Sequence, residues 1–212
     1  MSFENQPAEQ LEDVRHIRNM MERSSRFLSL SGFSGIAAGS CALIGAWVAD
    51  RIFFRGYYAS YNSIGYSDQS FIRLRTQLVL LAIAVFIAAL GSAFYFTWNR
   101  TRRQGATLWN VTSRRLFWNV AIPLVAGGMF CVGMLWHNQW LFVAPASLFF
   151  YGLALINASK YTLTDIRFLG FAEVLVGFIS MFAPGYSIYF WAIGFGVLHI
   201  LYGAIMWYKY ER

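Results

Sequence analysis

The sequence predicts an all-α polytopic membrane protein, a bundle of six transmembrane helices with an N-terminal amphipathic helix. Three observations predict it. Of the 212 residues, 58% are hydrophobic and only 13% charged, against about 25% charged in ordinary soluble domains. Six apolar stretches each approach the roughly 20 residues that cross a hydrocarbon core about 30 Å thick. Basic residues and tryptophans then fall where the ends of such helices would place them. Charge this sparse excludes a disordered or fibrous chain and an ordinary water-soluble enzyme. Two cysteines exclude a disulfide scaffold and a cysteine-rich zinc site.

Residues 1–28 are mostly hydrophilic, so they do not read as a secretory signal. Leu11, Val14, Ile17, Met21 and Leu28 recur at helical spacing and share one face, while Glu12, Asp13, Arg15, Arg18, Glu22 and Arg23 lie opposite. Two roles fit such a helix. It lies on the inner leaflet, or it docks a protein partner. The run from His16 through Arg26, Phe27 and Leu28 to Gly32 resembles the opening of a family of uncharacterised inner-membrane proteins from Bacteroidota-type bacteria. The resemblance extends to about Gly45. It implies a bacterial inner membrane and supplies no activity, substrate or catalytic residue.

The membrane domain is expected over 29–208, followed by a short tail at 209–212. Its spans are Leu30–Val48, Leu78–Trp98, Leu116–Trp136, Trp140–Asn157, Phe168–Ala183 and Ile188–Trp207. Leu78–Ala89 is apolar on every side, which no barrel strand would be. In the first span Ser31, Gly35 and Gly39, and likewise Ala38, Ala42 and Ala46, form stripes of small residues that favour close packing within the bundle. Pro123 and Pro145 are expected to interrupt the third and fourth spans. The connection from Asp50 to Gln77 reads as a long surface loop rich in tyrosine, whereas His137–Gln139 and Pro184–Gly185 read as tight turns. Tyr151-Gly152 and Tyr202-Gly203, at similar depth in the fourth and sixth spans, suggest a faint repeat.

With both termini in the cytoplasm, 13 of the 17 lysines and arginines fall inside and four (Arg51, Arg55, Arg73 and Arg75) outside. The reverse threading would invert that bias. Trp47, Trp136, Trp140 and Trp191 then lie near one interface and Trp98, Trp118 and Trp207 near the other. The net charge of +7 is mostly this topology signal, and no nucleic-acid-binding element accompanies it. The loop carrying Arg100, Arg102, Arg103, Arg114 and Arg115 would attract anionic lipid, beyond its ordinary part in setting the threading.

Glu173 is the residue most out of place. It lies inside the fifth span, where a carboxylate costs several kcal/mol unless it is paired, hydrated or protonated. Counting back from the Pro184–Gly185 turn sets it level with Gly196, and His199 follows about 4.5 Å further along the sixth span. Ala192, Gly196, His199 and Gly203 are expected on one seam, so a Glu173–His199 contact is expected. Asn119, Asn157 and Tyr202 share that half of the membrane and are candidates to face the same site. Two readings remain open: a polar pair that sets helix register, or a proton- or ligand-linked site.

No cofactor is expected. His16, His137 and His199 sit at different depths, against haem ligation across a bundle. Cys41 and Cys131 lack C-x-x-C spacing, no catalytic or nucleotide motif is present, and no metal site is expected. Two function classes survive: a small transporter or permeation protein using Glu173 and His199, or a non-catalytic scaffold or regulatory subunit.

Overall fold

The computed structural model describes residues 31–65, 67–105 and 109–212. The amphipathic segment expected at 1–28 lies outside them. Helix α1, Gly32–Val48, continues through a π-helical stretch, Ala49–Phe54, into α2, Arg55–Ile64. Then come α3, Asp68–Arg103; α4, Val111–Trp136; α5, Val143–Ala158; and α6, Ile166–Phe182. The last rod comprises α7, Ser187–Trp191, a second π-helical stretch, Ala192–Leu198, and α8, His199–Tyr210.

Every predicted span is a helix, and no strand occurs among the described residues. The chain is an all-α polytopic bundle, the form that satisfies backbone polar groups where no water can. Five rods are long and apolar enough to cross a membrane. The remaining one, α6, has 17 residues, the short end of the roughly 17–25 a span takes.

The rods alternate in direction. Helix α3 packs on α1, and α1 packs on α8 and the second π stretch. The same rod meets α6, which packs most extensively on α5, and α5 packs on α4. Helices α3 and α4 are thus the flanks. Leu80, Ile83, Ile87 and Leu90 of α3, and Ile122, Val125, Met129 and Val132 of α4, are exposed. Their spacing of three or four marks one face of each helix, suited to lipid.

Small residues set the tightest contacts. A Cβ on Gly39 would lie 2.6 Å from the Gly196 carbonyl, and one on Gly203 2.7 Å from the Gly32 carbonyl. Gly152 and Gly170 bring α5 and α6 together in the same way, each Cβ position 2.7 Å from the other's carbonyl oxygen. The stripe in the first span therefore packs inside the bundle, and each Tyr-Gly pair supplies a close-approach glycine.

Polar ties join the rods at both ends. At the end carrying Ser31 and the C-terminus, Arg100 donates to Glu211 at 2.8 Å and to the Tyr210 carbonyl at 3.1 Å. Glu211 also accepts from the backbone N–H of Gly32 and from the Ser31 hydroxyl, capping α1. Lys209 and Tyr210 each donate to Asp165 at 2.8 Å. Residues 209–211, expected in a tail, are therefore part of the bundle. At the opposite end, Arg75 donates to Asn138 Oδ1 at 2.6 Å and to the Leu135 carbonyl at 2.9 Å, joining α3 to α4.

Two expectations change. The connection from Asp50 to Gln77 is helical almost throughout, in the π stretch, α2 and the start of α3. Tyr57 packs against Tyr58, Tyr61 and Phe71, and Phe71 packs against Trp140 with ring centroids 5.6 Å apart. This aromatic ladder holds the segment as a helical hairpin, closed at Gly65, whose φ of +82° favours glycine. Neither proline interrupts a helix. Helix α4 runs through Pro123, and Pro145 lies in the first turn of α5, where its missing N–H costs no helical bond.

Candidate functional site

The buried face of α6 is Ile166, Leu169, Gly170, Glu173, Gly177 and Ser180, a repeat of three and four. Glu173 therefore points into the bundle, and it is 0% exposed. Leu148 and Tyr151, three apart on α5, face the same place. Leu148 is 0% exposed, and Tyr151 packs on Phe195 and His199 of the last rod. Room for the carboxylate comes from Gly194, where a Cβ would lie 2.5 Å from Glu173 Oε2 and against Leu148 Cδ2.

His199 is 7% exposed and its ring is fully engaged. Nδ1 lies 3.1 Å from the Gly194 carbonyl, and Nε2 lies 2.7 Å from the Tyr151 hydroxyl. A carbonyl only accepts, so Nδ1 carries a proton. In the neutral ring Nε2 then accepts from Tyr151. Glu173 Oε1 lies 3.3 Å from the same Nδ1, close enough for charge to act but without the alignment of a hydrogen bond. Both carboxylate oxygens are buried, with no hydrogen-bond partner among the described residues. Burying such a group without a partner costs on the order of several kcal/mol when it is ionised.

No family model, curated protein or solved structure matches this chain.

The expected Glu173–His199 pair is present, but its register differs. Gly194, not Gly196, lies beside Glu173. Gly196 faces α1, where a Cβ would meet Leu43. His199 is consequently off the glycine seam: its side chain turns toward α5 and α6 while Gly196 and Gly203 face α1. The cause is the second π stretch. Its wider i→i+5 turns, common at functional sites, rotate the faces away from the regular helix that the counting assumed. The short 3₁₀ turn Pro184–Tyr186 shifts the start of the rod as well.

The other candidates do not join the pair. Asn119 donates to the Arg115 carbonyl at 2.8 Å, and its own carbonyl accepts from Asn157 at 3.1 Å, so the two asparagines tie α4 to α5. No hydrogen bond among the described residues joins Tyr202 to Glu173 or His199. The hydroxyl that does reach His199 belongs to Tyr151. Its Tyr-Gly repeat with Tyr202 was the one sequence signal that singled it out. Ser180 was missed. It is two turns from Glu173 on the same face, 0% exposed, with no partner for its hydroxyl among the described residues.

Among the described residues no three of His, Cys, Asp or Glu gather as a metal site needs. In the basic loop, Arg100 is engaged with Glu211, whereas Arg102, Arg103, Arg114 and Arg115 are exposed. Asp165, outside the spans, feels partial burial that pushes its carboxyl up. Hydrogen bonds from Lys209 and Tyr210 and the lysine charge outweigh that and hold it below the usual range.

Proposed function

We propose that the protein is a small proton-linked transport or permeation protein, with an exchangeable proton held between Glu173 and His199. It would lie in a bacterial inner membrane with both termini cytoplasmic, as its basic-residue bias and the resemblance of its opening residues suggest. The observation that carries the proposal is the carboxylate buried completely, unbonded at both oxygens, beside an imidazole. A carboxylate kept for stability alone is normally hydrogen-bonded, and an orphaned one calls for another explanation. Glu173 and His199 are neutral as a pair whether the extra proton sits on the carboxyl or on the ring. The step between the two states passes the Nδ1 proton of the imidazolium to Oε1 while Nε2 keeps its own and donates to the Tyr151 oxygen, so the local dipole changes and no net charge is buried.

Among the described residues the titratable group that touches the pair is Tyr151 from α5, and α1 presents glycine backbone to this rod. Exposure rises from Glu173 through His199 to the half-buried Tyr151. Proton access accordingly runs through the histidine and the tyrosine. The complete seal over Glu173 favours a second reading, a neutral tie that sets the register of α6 against the last rod in a scaffold or regulatory subunit.

Purified protein and Glu173→Gln, reconstituted in vesicles holding a pH-sensitive dye, separate the two. Under an imposed proton gradient the proton-linked reading expects the wild type to carry flux and the variant to lose it while still inserting. Thermal unfolding from about pH 5 to pH 8, where histidine titrates, supplies the second measurement. A variant at least as stable as the wild type, with the pH dependence gone, supports a site held at a cost to stability. A variant less stable at every pH, with neither protein carrying flux, establishes the tie.

A further inference from the structure

At the end opposite the termini, the hairpin of α2 and α3 encloses a half-open cavity of about 370 Å³, within the roughly 300–1,000 Å³ typical of small-molecule sites. Phe53, Tyr57 and Leu74 give it an apolar wall, while Ser60 and Gln77 give it a hydroxyl and an amide; the Ser70 hydroxyl, also at the wall, is spent on the Ser67 carbonyl at 2.8 Å. Arg73 is the one charged residue lining it among the described residues. Among the described residues Arg73 enters no ion pair, in contrast to Arg75, which is held by Asn138 and the Leu135 carbonyl.

The cavity lies just beyond the predicted spans Leu30–Val48 and Leu78–Trp98, at the level where headgroups meet water. An exposed guanidinium with no carboxylate opposite it among the described residues is free to take an anion. Hydroxyl and amide donors around it suit the several oxygens of a phosphate, and the apolar wall suits a hydrophobic body attached to it. We propose that this cavity binds an anionic, phosphate-bearing amphiphile, one with net negative charge, with the phosphate on Arg73 and the apolar part against Phe53, Tyr57 and Leu74. The same chemistry has two sources: the headgroup of an anionic phospholipid, or a soluble organic phosphate.

The test uses the full-length protein in detergent, titrated with short-chain phosphatidylglycerol, glycerol 3-phosphate and phosphatidylcholine of the same chain length. Binding is read by native mass spectrometry and by the shift in Tm. Two variants probe the cavity. Arg73→Gln removes the charge at an exposed position. Gly56→Leu fills the space, since nothing lies within 4 Å of a Cβ there. The expected result is phosphatidylglycerol binding that Arg73→Gln weakens about tenfold or more, the loss of about one charge-assisted hydrogen bond, and that Gly56→Leu weakens by occupying the space. Binding of phosphatidylglycerol alone identifies the lipid as the source. Glycerol 3-phosphate binding as well, with the same sensitivity, shows that the free phosphate suffices. The proposal is overturned if neither phosphate binds, if phosphatidylcholine binds equally, or if both variants keep wild-type affinity. Glu173→Gln should bind as the wild type does, so this outcome is independent of the proton site.

Discussion

A methyl group on Gly194 would lie 2.5 Å from Glu173 Oε2 and against Leu148 Cδ2, both on fully buried side chains. Gly194→Ala should therefore lower stability by about 1–3 kcal/mol, the usual cost of overpacking, as read by thermal unfolding. Tyr151→Phe tests the other side of the site. It removes the hydroxyl from His199 Nε2 and leaves a buried acceptor unmatched, at a cost of about 1–2 kcal/mol. If the proton enters through Tyr151, the variant should also slow proton flux in the vesicle assay. Flux at the wild-type rate would place the entry elsewhere. These residues differ in how visible they are in the sequence. A carboxylate among apolar residues is conspicuous because lipid makes it costly, so Glu173 was legible. Tyr151 was not singled out for chemistry, since tyrosine is ordinary in a membrane chain and only its contact with His199 gives it a role.

At the scale of elements, backbone contact distinguishes glycines that pack from glycines that do not. A Cβ on Gly39 meets the Gly196 carbonyl at 2.6 Å and the Ile200 backbone nitrogen at 3.0 Å, neither of which can yield without moving a rod. Gly39→Leu should cost about 3 kcal/mol or prevent folding. Gly91→Ala in α3, where nothing lies within 4 Å, should be neutral or stabilise by up to about 1 kcal/mol through helix propensity. Equal losses in the two variants would remove the packing argument. The six spans were legible because uninterrupted apolar length is itself the signal. The second π stretch was not, because no residue pattern in Ala192–Leu198 distinguishes i→i+5 from i→i+4 bonding, and one such stretch moved the partner of Glu173 from Gly196 to Gly194. Helix α2 was misread as loop because its tyrosines and serines are polar enough to hide a helix held by ring packing. Loop chemistry is legible in another way. With Asp165 held below the usual carboxyl range by Lys209 and Tyr210, its contribution is present above the ordinary aspartate value and is lost as pH falls through its lowered one. Asp165→Asn should therefore reduce the loss of stability on acidification below about pH 4, measured as Tm against pH.

For the molecule as a whole, the two ends are built from different chemistry. The end with the termini carries Arg100, Arg102, Arg103, Arg114, Arg115, Lys160, Arg167, Lys209 and Arg212, partly tied by Glu211 and Asp165. The opposite end carries four arginines, the aromatic ladder and the cavity. Six alternating rods put Ser31 and the C-terminus at one end, and under the proposed threading the basic bias would make that end cytoplasmic. The threading then determines which solution reaches each site. The phosphate cavity would face outward, and Lys209 and Arg212 would face the anionic inner leaflet. Single cysteines test this in a chain with Cys41 and Cys131 replaced by alanine. A cysteine at Gly185, where a side chain meets open space, should react with an impermeant maleimide in intact cells. A cysteine at the exposed Arg102 should react only after the membrane is opened. The reverse pattern would turn the molecule over and face the phosphate cavity to the cytoplasm. Labelling of both positions in intact cells would mean that the rods do not cross the membrane as an ordered set, and the proton reading of Glu173 would lose the low-dielectric setting on which it depends.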